Sequence, residues 1–232
     1  MQNEQQRATQ LATTHLDILH GIAWDYHGLR LATCSADQRI AVYDKHPDSP
    51  SLVLNDAWHA HDAAVSHIRW AHPSFGRVLV STSFDASVRV WEEAEHEPRG
   101  SGRRWRERAR LVDARGRVVD LNFGPVWLGL ILATIAEDGI VRLYEASDTT
   151  NVAYWGIFQE FEASGGMSGL ASHSNMPMDS TMSPYAGSGE GNSLGGVGYC
   201  LSWCCTRFTS PMLAVACGPR NIIRVCHCSC FA

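Results

Sequence analysis

The chain has 232 residues, 45% hydrophobic and 19% charged, with a formal net charge of −5. That balance suits a folded chain of one large or two small domains and excludes wholesale disorder. It also argues against a protein built mainly to coat nucleic acid, which needs a strongly basic surface.

The N-terminal stretch, MQNEQQRATQ, is polar and lacks the charged-then-apolar layout of a secretory signal. The longest apolar run, Val126 to Ala136, is shorter than the roughly 18 residues a membrane-spanning helix needs. A soluble, intracellular chain is the expectation. Lys45 is the single lysine, so 18 of the 19 cationic side chains are arginine, a bias that codon usage explains as readily as chemistry. Of eight cysteines, seven lie from Cys200 onward and only Cys34 precedes them, so no disulfide framework ties the body together.

Three segments superimpose: Ile18–Asp44, Val65–Glu93 and Val118–Glu145. Each opens with an alternating strand that ends in an aromatic, Trp24, Trp70 or Phe123. A Gly- or Pro-containing turn follows, then a strand of small and β-branched residues. An Asp turn (Asp37, Asp85, Asp138) leads into a strand with an aromatic six residues later, at Tyr43, Trp91 and Tyr144. The Asp-to-Asp steps of 48 and 53 residues slightly exceed the roughly 40–45 of a four-stranded propeller blade. The excess falls in the polar connections around Pro47–Asn55 and Glu92–Arg110. The period-2 alternation of Val88 and Val90 about Arg89 marks a strand with one buried face. The run Leu130–Thr134 reads as a strand covered on both faces. A degraded fourth copy begins at Tyr199, with Leu201 and Trp203, Met212–Ala216 and Ile222–Val225 as its strands; Arg220 stands where the turn Asp would be and Cys226 where the aromatic would be.

The expected architecture is an all-β, incomplete propeller, with blades at about 15–60, 61–110, 111–161 and 199–226. Residues 162–198 are Gly/Ser/Met-rich and almost devoid of large apolar side chains, which predicts a disordered insertion. Residues 227–232 form an atypical Cys-rich tail. Cys226, His227, Cys228 and Cys230 invite a metal reading, but Cys-x-Cys spacing in an extended tail lacks the two-residue gap of a zinc knuckle, so no metal is expected.

His61, Ser81 or Ser83, Asp85 and Trp91 form a recurring set within the second repeat, of which His61, Ser83, Asp85 and Trp91 are the expected structural tetrad. Buried His and Asp must satisfy one another. A hydrolytic triad would need an exposed nucleophile beside oxyanion donors, whereas this set belongs to the blade. No catalytic residue and no cofactor are therefore expected. His20, Asp37 and Tyr43 are the candidates for the matching set in the first repeat. Arg99, Arg103, Arg104, Arg106, Arg108 and Arg110 surround Trp105; the choices are a phosphate grip with a stacking Trp or a solvated loop, and the acidic whole favours the loop. Trp127 and Trp155 read as packing aromatics, His72 as a turn residue, and Cys34 as a small reduced core residue. No Gly-rich phosphate loop is present.

The strings DYHGLRLATCSADQRIAVYDK, WAHPSFGRVLVSTSFDASVRVWEE and LGLILATIAEDGIVRLYEA resemble the Seh-type nucleoporins, WD-repeat proteins close to the Sec-thirteen coat protein. WAHP at Trp70–Pro73, SFD at Ser83–Asp85, VWEE at Val90–Glu93 and RLYEA at Arg142–Ala146 carry the distinction from generic WD repeats. The resemblance implies about four of the family's six blades in this chain, in an open ring that a helical partner nucleoporin completes in trans by adding strands. It implies a scaffold subunit of the Y-shaped outer ring of the nuclear pore, serving pore assembly and nucleocytoplasmic transport, with protein partners, no DNA and no transmembrane segment. A second role at the vacuole or lysosome, in TOR-pathway nutrient signalling, also follows from it. By the same analogy Ile22 and Trp24, on the first blade, flank the inserted partner. The alternatives are a Sec-thirteen-like vesicle coat subunit and a metal- or RNA-binding propeller using the Cys tail or the Arg-rich stretch.

Overall fold

The computed structural model describes residues 10–46, 51–163, 199–204, 211–217 and 222–227. They form fifteen strands in four antiparallel sheets, each built from consecutive strands in chain order. Sheet 1 contains β1 (Leu19–Trp24), β2 (Arg30–Ser35), β3 (Arg39–Lys45) and β4 (Leu52–His59). Sheet 2 contains β5 (Val65–Trp70), β6 (Val78–Ser83), β7 (Val88–Glu93) and β8 (Trp105–Leu111). Sheet 3 contains β9 (Val118–Phe123), β10 (Ile131–Ala136), β11 (Ile140–Ala146) and β12 (Trp155–Glu162). Sheet 4 has three strands, β13 (Tyr199–Trp203), β14 (Met212–Cys217) and β15 (Ile222–His227). The sheets stack face to face around their first strands as the arc of an incomplete β-propeller.

Local chemistry sets the repeat. The β2–β3 turn and its two counterparts place Gln38, Ala86 and Gly139 at φ of 68°, 63° and 74°. The Asp just before each holds the turn, its carboxylate accepting the amide N–H two residues on: Arg39 at 3.0 Å, Ser87 at 2.9 Å and Ile140 at 3.0 Å. Such Asx turns offer the backbone a ready local partner and let it enter the left-handed region. The third and fourth strands of each complete sheet then slip register at the aromatic, at Val42/Tyr43, Val90/Trp91 and Leu143/Tyr144. A bulge there adds twist, which an arc of stacked sheets needs.

Alternation gives every sheet two faces. The front carries the aromatic of the first strand and the back the small or branched residues between. The fronts of sheets 2, 3 and 4 bury Ile68, Leu121 and Leu201 against the sheet before. The backs of sheets 1, 2 and 3 receive them with Ala32 and Cys34, Val80, and Ala133 and Ile135. The Cys34 thiol is buried, and burial pushes its pKa up to about 12. A side chain on Gly21 would stand 3.1 Å from Cys34 Sγ, so glycine lets the two strands keep their packing.

The structure moves some boundaries. The Arg-rich stretch expected to be a loop contains β8, the outer strand of sheet 2. β12 runs through Glu162, so sheet 3 extends one residue into the Gly/Ser-rich segment, and Ala163 next to it is buried. The remainder of that segment lies outside the described residues. His227, assigned to the tail, ends β15; residues 228–232 lie outside the described residues. Leu130–Thr134 falls largely on β10, which is buried along its whole length.

Candidate functional site

Two features could carry function: the hydrogen-bonded sets beneath the Asp turns and the uncovered faces at the ends of the arc. In sheet 2 a relay of donors runs one way. Trp91 Nε1–H donates to Ser81 Oγ at 2.8 Å, Ser81 lies 2.8 Å from His61 Nε2, and His61 Nδ1 lies 3.0 Å from Asp85 Oδ2. With the indole donating into Ser81, the hydroxyl donates to Nε2, and His61 is left to donate from Nδ1 to the carboxylate. Burial pushes the His61 pKa down, favouring the neutral ring this relay requires. Burial disfavours the Asp85 charge, but hydrogen bonds from His61 and Ser87 outweigh it and hold the carboxyl well below its usual range.

The serine in this relay is Ser81, not Ser83. Ser83 stands two positions along the strand, where its hydroxyl donates to Ala63 O at 3.1 Å and accepts from Asp85 N–H at 3.1 Å. It ties the turn rather than joining the imidazole to the indole. The order Ser81–His61–Asp85 is that of a hydrolytic triad. Ser81 is fully buried, however, and its oxygen already accepts from Trp91, so this hydroxyl is not presented as a nucleophile.

In sheet 1 the histidine is His15 rather than His20. His15 Nδ1 lies 3.1 Å from Asp37 Oδ2 and its Nε2 2.8 Å from Thr33 Oγ1, the counterpart of Ser81. Tyr43 replaces the indole, and its hydroxyl accepts Thr14 N–H at 3.2 Å. His20 instead donates to Val65 O across the boundary with sheet 2, at 2.9 Å. Sheet 3 has arginine chemistry in the same place: Asp138 receives Arg142 at 2.7 Å and Tyr144 donates to Asp113 at 3.1 Å.

The Arg-rich strand does not form a phosphate grip. Trp105 is buried and stacks on Trp58 with ring centres 5.6 Å apart and planes 12° from parallel. Its ring therefore cannot receive a base. Arg99, Arg104, Arg106, Arg108 and Arg110 pair with Asp44, Glu93, Glu97, Glu92 and Glu107 at 2.7–3.1 Å. The Glu93 carboxylate, wholly buried, collects Arg30 of sheet 1 at 2.6 Å, Arg104 at 2.7 Å and Arg77 at 3.2 Å. Burial opposes its ionisation, but Arg30 and Arg104 prevail and bring its pKa to about 2. Sequence inspection missed this hub, because an acid at a strand end has no signature of its own.

Among the described residues no group of three or more His, Cys, Asp and Glu is placed to hold a metal. Strand pairing sets Cys200 opposite Ala216 and Cys226 opposite Leu213, on opposite faces of sheet 4, so these two cannot share one ion. Trp155 packs against the core between sheets 2 and 3, whereas Trp127 is 38% exposed on a short turn. His72 accepts Ser74 N–H and starts a tight turn.

Ile22 and Trp24 lie on the front of sheet 1, opposite Thr33 and Leu31. They are 63% and 51% exposed, and Leu19, opposite Ser35 on the same face, is 41% exposed. Leu11, packed against Leu31, Ala41 and Tyr43, covers only the outer part of this face.

Residues 8–44 and 52–92 match the family model described as WD domain, G-beta repeat. Nucleoporin SEH1 of Saccharomyces cerevisiae is 34% identical over 209 residues, covering 90% of this chain and 53% of that protein. Nucleoporin SEH1 of Homo sapiens is 43% identical over 156 residues, 66% of this chain and 43% of that protein. The chain belongs to the SEH1 family of WD-repeat proteins. This SEH1-family chain spans about half the length of the curated relatives it matches, including the Schizosaccharomyces pombe protein, of which it covers 55%. Among solved structures, the computationally designed Ika4 protein shares the fold, with a TM-score of 0.55 at 15% identity over 95% of this chain and 99% of that one.

Proposed function

We propose that this chain is a non-enzymatic scaffold subunit of the outer-ring complex of the nuclear pore, whose first sheet accepts strands from a helical partner nucleoporin. The uncovered front of sheet 1 carries the reading. Ile22 and Trp24 occupy the positions at which the other sheets bury Ile68, Leu121 and Leu201 and pack Trp70, Phe123 and Trp203 against a preceding sheet. Apolar surface of this kind is stabilised by a partner that removes it from water. The SEH1 relatives are nucleoporins, which supports the nuclear pore as the place of action, at the nuclear envelope, in assembly and transport. The nutrient-signalling role at the vacuole or lysosome extends the same scaffold to a second complex.

The test is affinity capture of the tagged chain from its own cells, with and without Ile22→Asp and Trp24→Asp. Outer-ring nucleoporins should come with the parent chain and fall at least about tenfold with the double variant, whose circular dichroism should match the parent. Undiminished capture would refute docking on this face. Vesicle-coat proteins in place of nucleoporins would favour the coat reading.

A further inference from the structure

We propose that the cavity where β1, β5 and β9 begin is a binding site for an acidic peptide, which lays an apolar side chain and a carboxylate into it. The cavity has a volume of about 310 Å³, at the lower end of ligand-binding clefts and enough for one or two side chains. It draws on sheets 1 to 3 alone, and its lining includes neither Ile22 nor Trp24.

Register explains why these three strands build it. Each slips once against the second strand of its sheet, so that Leu19 and Gly21, Val65 and His67, and Val118 and Asp120 pair with consecutive residues. The residues skipped, His20, Ser66 and Val119, all line the cavity. A bulge of this kind leaves one residue outside the ladder and re-aims its side chain. Used at the same place in three neighbouring sheets, it collects three side chains at one spot.

The aromatic wall is not demanded by the fold. Phe84 precedes the turn aspartate Asp85, where sheets 1 and 3 have Ala36 and Glu137, so the turn itself needs no ring. Phe84 is nevertheless 46% exposed. The His20 imidazole stacks on it with ring centres 5.8 Å apart, and the Arg117 guanidinium lies over it at 4.7 Å. Glu137 holds Arg117 Nη2 at 2.8 Å, leaving the other N–H groups of the fork to grip a second carboxylate. Pinned by a ring and an acid, the guanidinium is set before a ligand arrives, which lowers the ordering cost of binding.

The two histidines supply an acceptor and a donor. His20 Nδ1 donates to Val65 O at 2.9 Å, so in the neutral ring Nε2 keeps its lone pair. His67 lines the cavity, but its Nδ1 is buried without a hydrogen-bond partner. Burial pushes its pKa below the ordinary 6.5 and favours the neutral ring. The single proton then belongs on Nε2, because a stranded lone pair is better tolerated than a stranded N–H. Arg117 and His67 thus offer N–H groups to a carboxylate, and His20 offers a lone pair to an amide N–H. A peptide carries both partners together, and Val118, Val119 and the Phe84 ring receive its apolar side chain. A run of phosphates fits poorly, since Glu137 and Asp120 already stand 2.8 and 3.8 Å from Arg117 and Arg69.

The test titrates the full chain with the peptide acetyl-Ala-Leu-Glu-Leu-Ala-amide, its Gln counterpart, inorganic phosphate and a single-stranded RNA, reading histidine ring signals by nuclear magnetic resonance. The Glu peptide should shift the His20 and His67 signals, leave that of the fully buried His61 in place, and bind at least about tenfold more tightly than the Gln peptide. Phe84→Ala, which copies sheet 1 at this turn, and Arg117→Gln should each weaken it about tenfold with unchanged circular dichroism. Should Phe84→Ala disturb the fold, Arg117→Gln, on a side chain 37% exposed, decides alone. Equal affinity for the Glu and Gln peptides, unmoved His20 and His67 signals, or binding indifferent to Arg117→Gln would overturn the proposal. So would phosphate or RNA binding more tightly than the peptide at the same signals. The Ile22→Asp, Trp24→Asp double variant should bind the peptide as the parent does, so nucleoporin capture and peptide binding fail independently.

Discussion

Ser81 and Ser83 show what spacing alone resolves. Two residues apart on a strand, they share a face, so alternation points both toward His61 without saying which lies level with the Trp91 indole. Register decides it, and register is fixed by the turn and the bulge at Val90/Trp91. For His15 the signal was present: His61 precedes Asp85 by 24 residues, His15 precedes Asp37 by 22 and His20 only by 17. Ser81→Ala should cost about 2–3 kcal/mol, because it strands a buried imidazole nitrogen and a buried indole N–H, while Ser83→Ala should cost about 1 kcal/mol. Urea denaturation of the two variants checks the order, and equal costs would contradict the relay. The pH dependence has a definite sign. His61 and His67 are both held below their ordinary 6.5 by burial, so the unfolded chain takes up protons first. Their contribution is complete above about pH 6.5 and is lost as pH falls through the folded values. Asp85 and Glu93, depressed from 3.8 and 4.5, add a second loss as pH falls below about 4.5. The urea midpoint should therefore fall in two steps between pH 7 and 3; a midpoint that rises from pH 7 to 5.5 would contradict this account.

The strands were legible where one face is buried and the other is not. β7 shows it in the pattern VRVWEE, and β10 in an unbroken apolar run. β8 was not legible, because Arg106, Glu107 and Arg108 mask the alternation between its buried ends, Trp105 and Leu111. An outer strand needs only those two anchors; the arginines between them lie along solvent and pair with acids. Glu93 is the opposite case, a charge whose role comes from three arginines brought from different elements. Glu93→Gln should destabilise by about 3–5 kcal/mol, since it leaves the Arg30 and Arg104 guanidinium groups without their buried counter-charge. Thermal unfolding of the full chain measures this; a loss below about 1 kcal/mol would reduce the hub to a surface ion pair.

At the scale of the molecule, sequence repetition revealed the kind of assembly but not its extent. Three strong repeats and one weak one predict an arc, and the structure adds that the front of its first sheet is apolar, with Ile22 and Trp24 exposed on it. An anilinonaphthalene dye, which lights up on exposed apolar surface, should bind the parent chain at the front of sheet 1 and bind the Ile22→Asp, Trp24→Asp double variant less. Dye binding unchanged between the two would argue that the front of sheet 1 is not open to water. The boundary between sheets 1 and 2 also holds Trp58, Trp70, Trp91 and Trp105, linked by ring-centre separations of 5.5–5.6 Å. Indoles this close share their electronic excitation, so their near-ultraviolet transitions couple into a split, signed dichroism band. The amplitude of that band depends steeply on the gap and angle between two particular sheets. The chain therefore carries its own optical gauge of blade separation, able to register any opening of the arc without an added label.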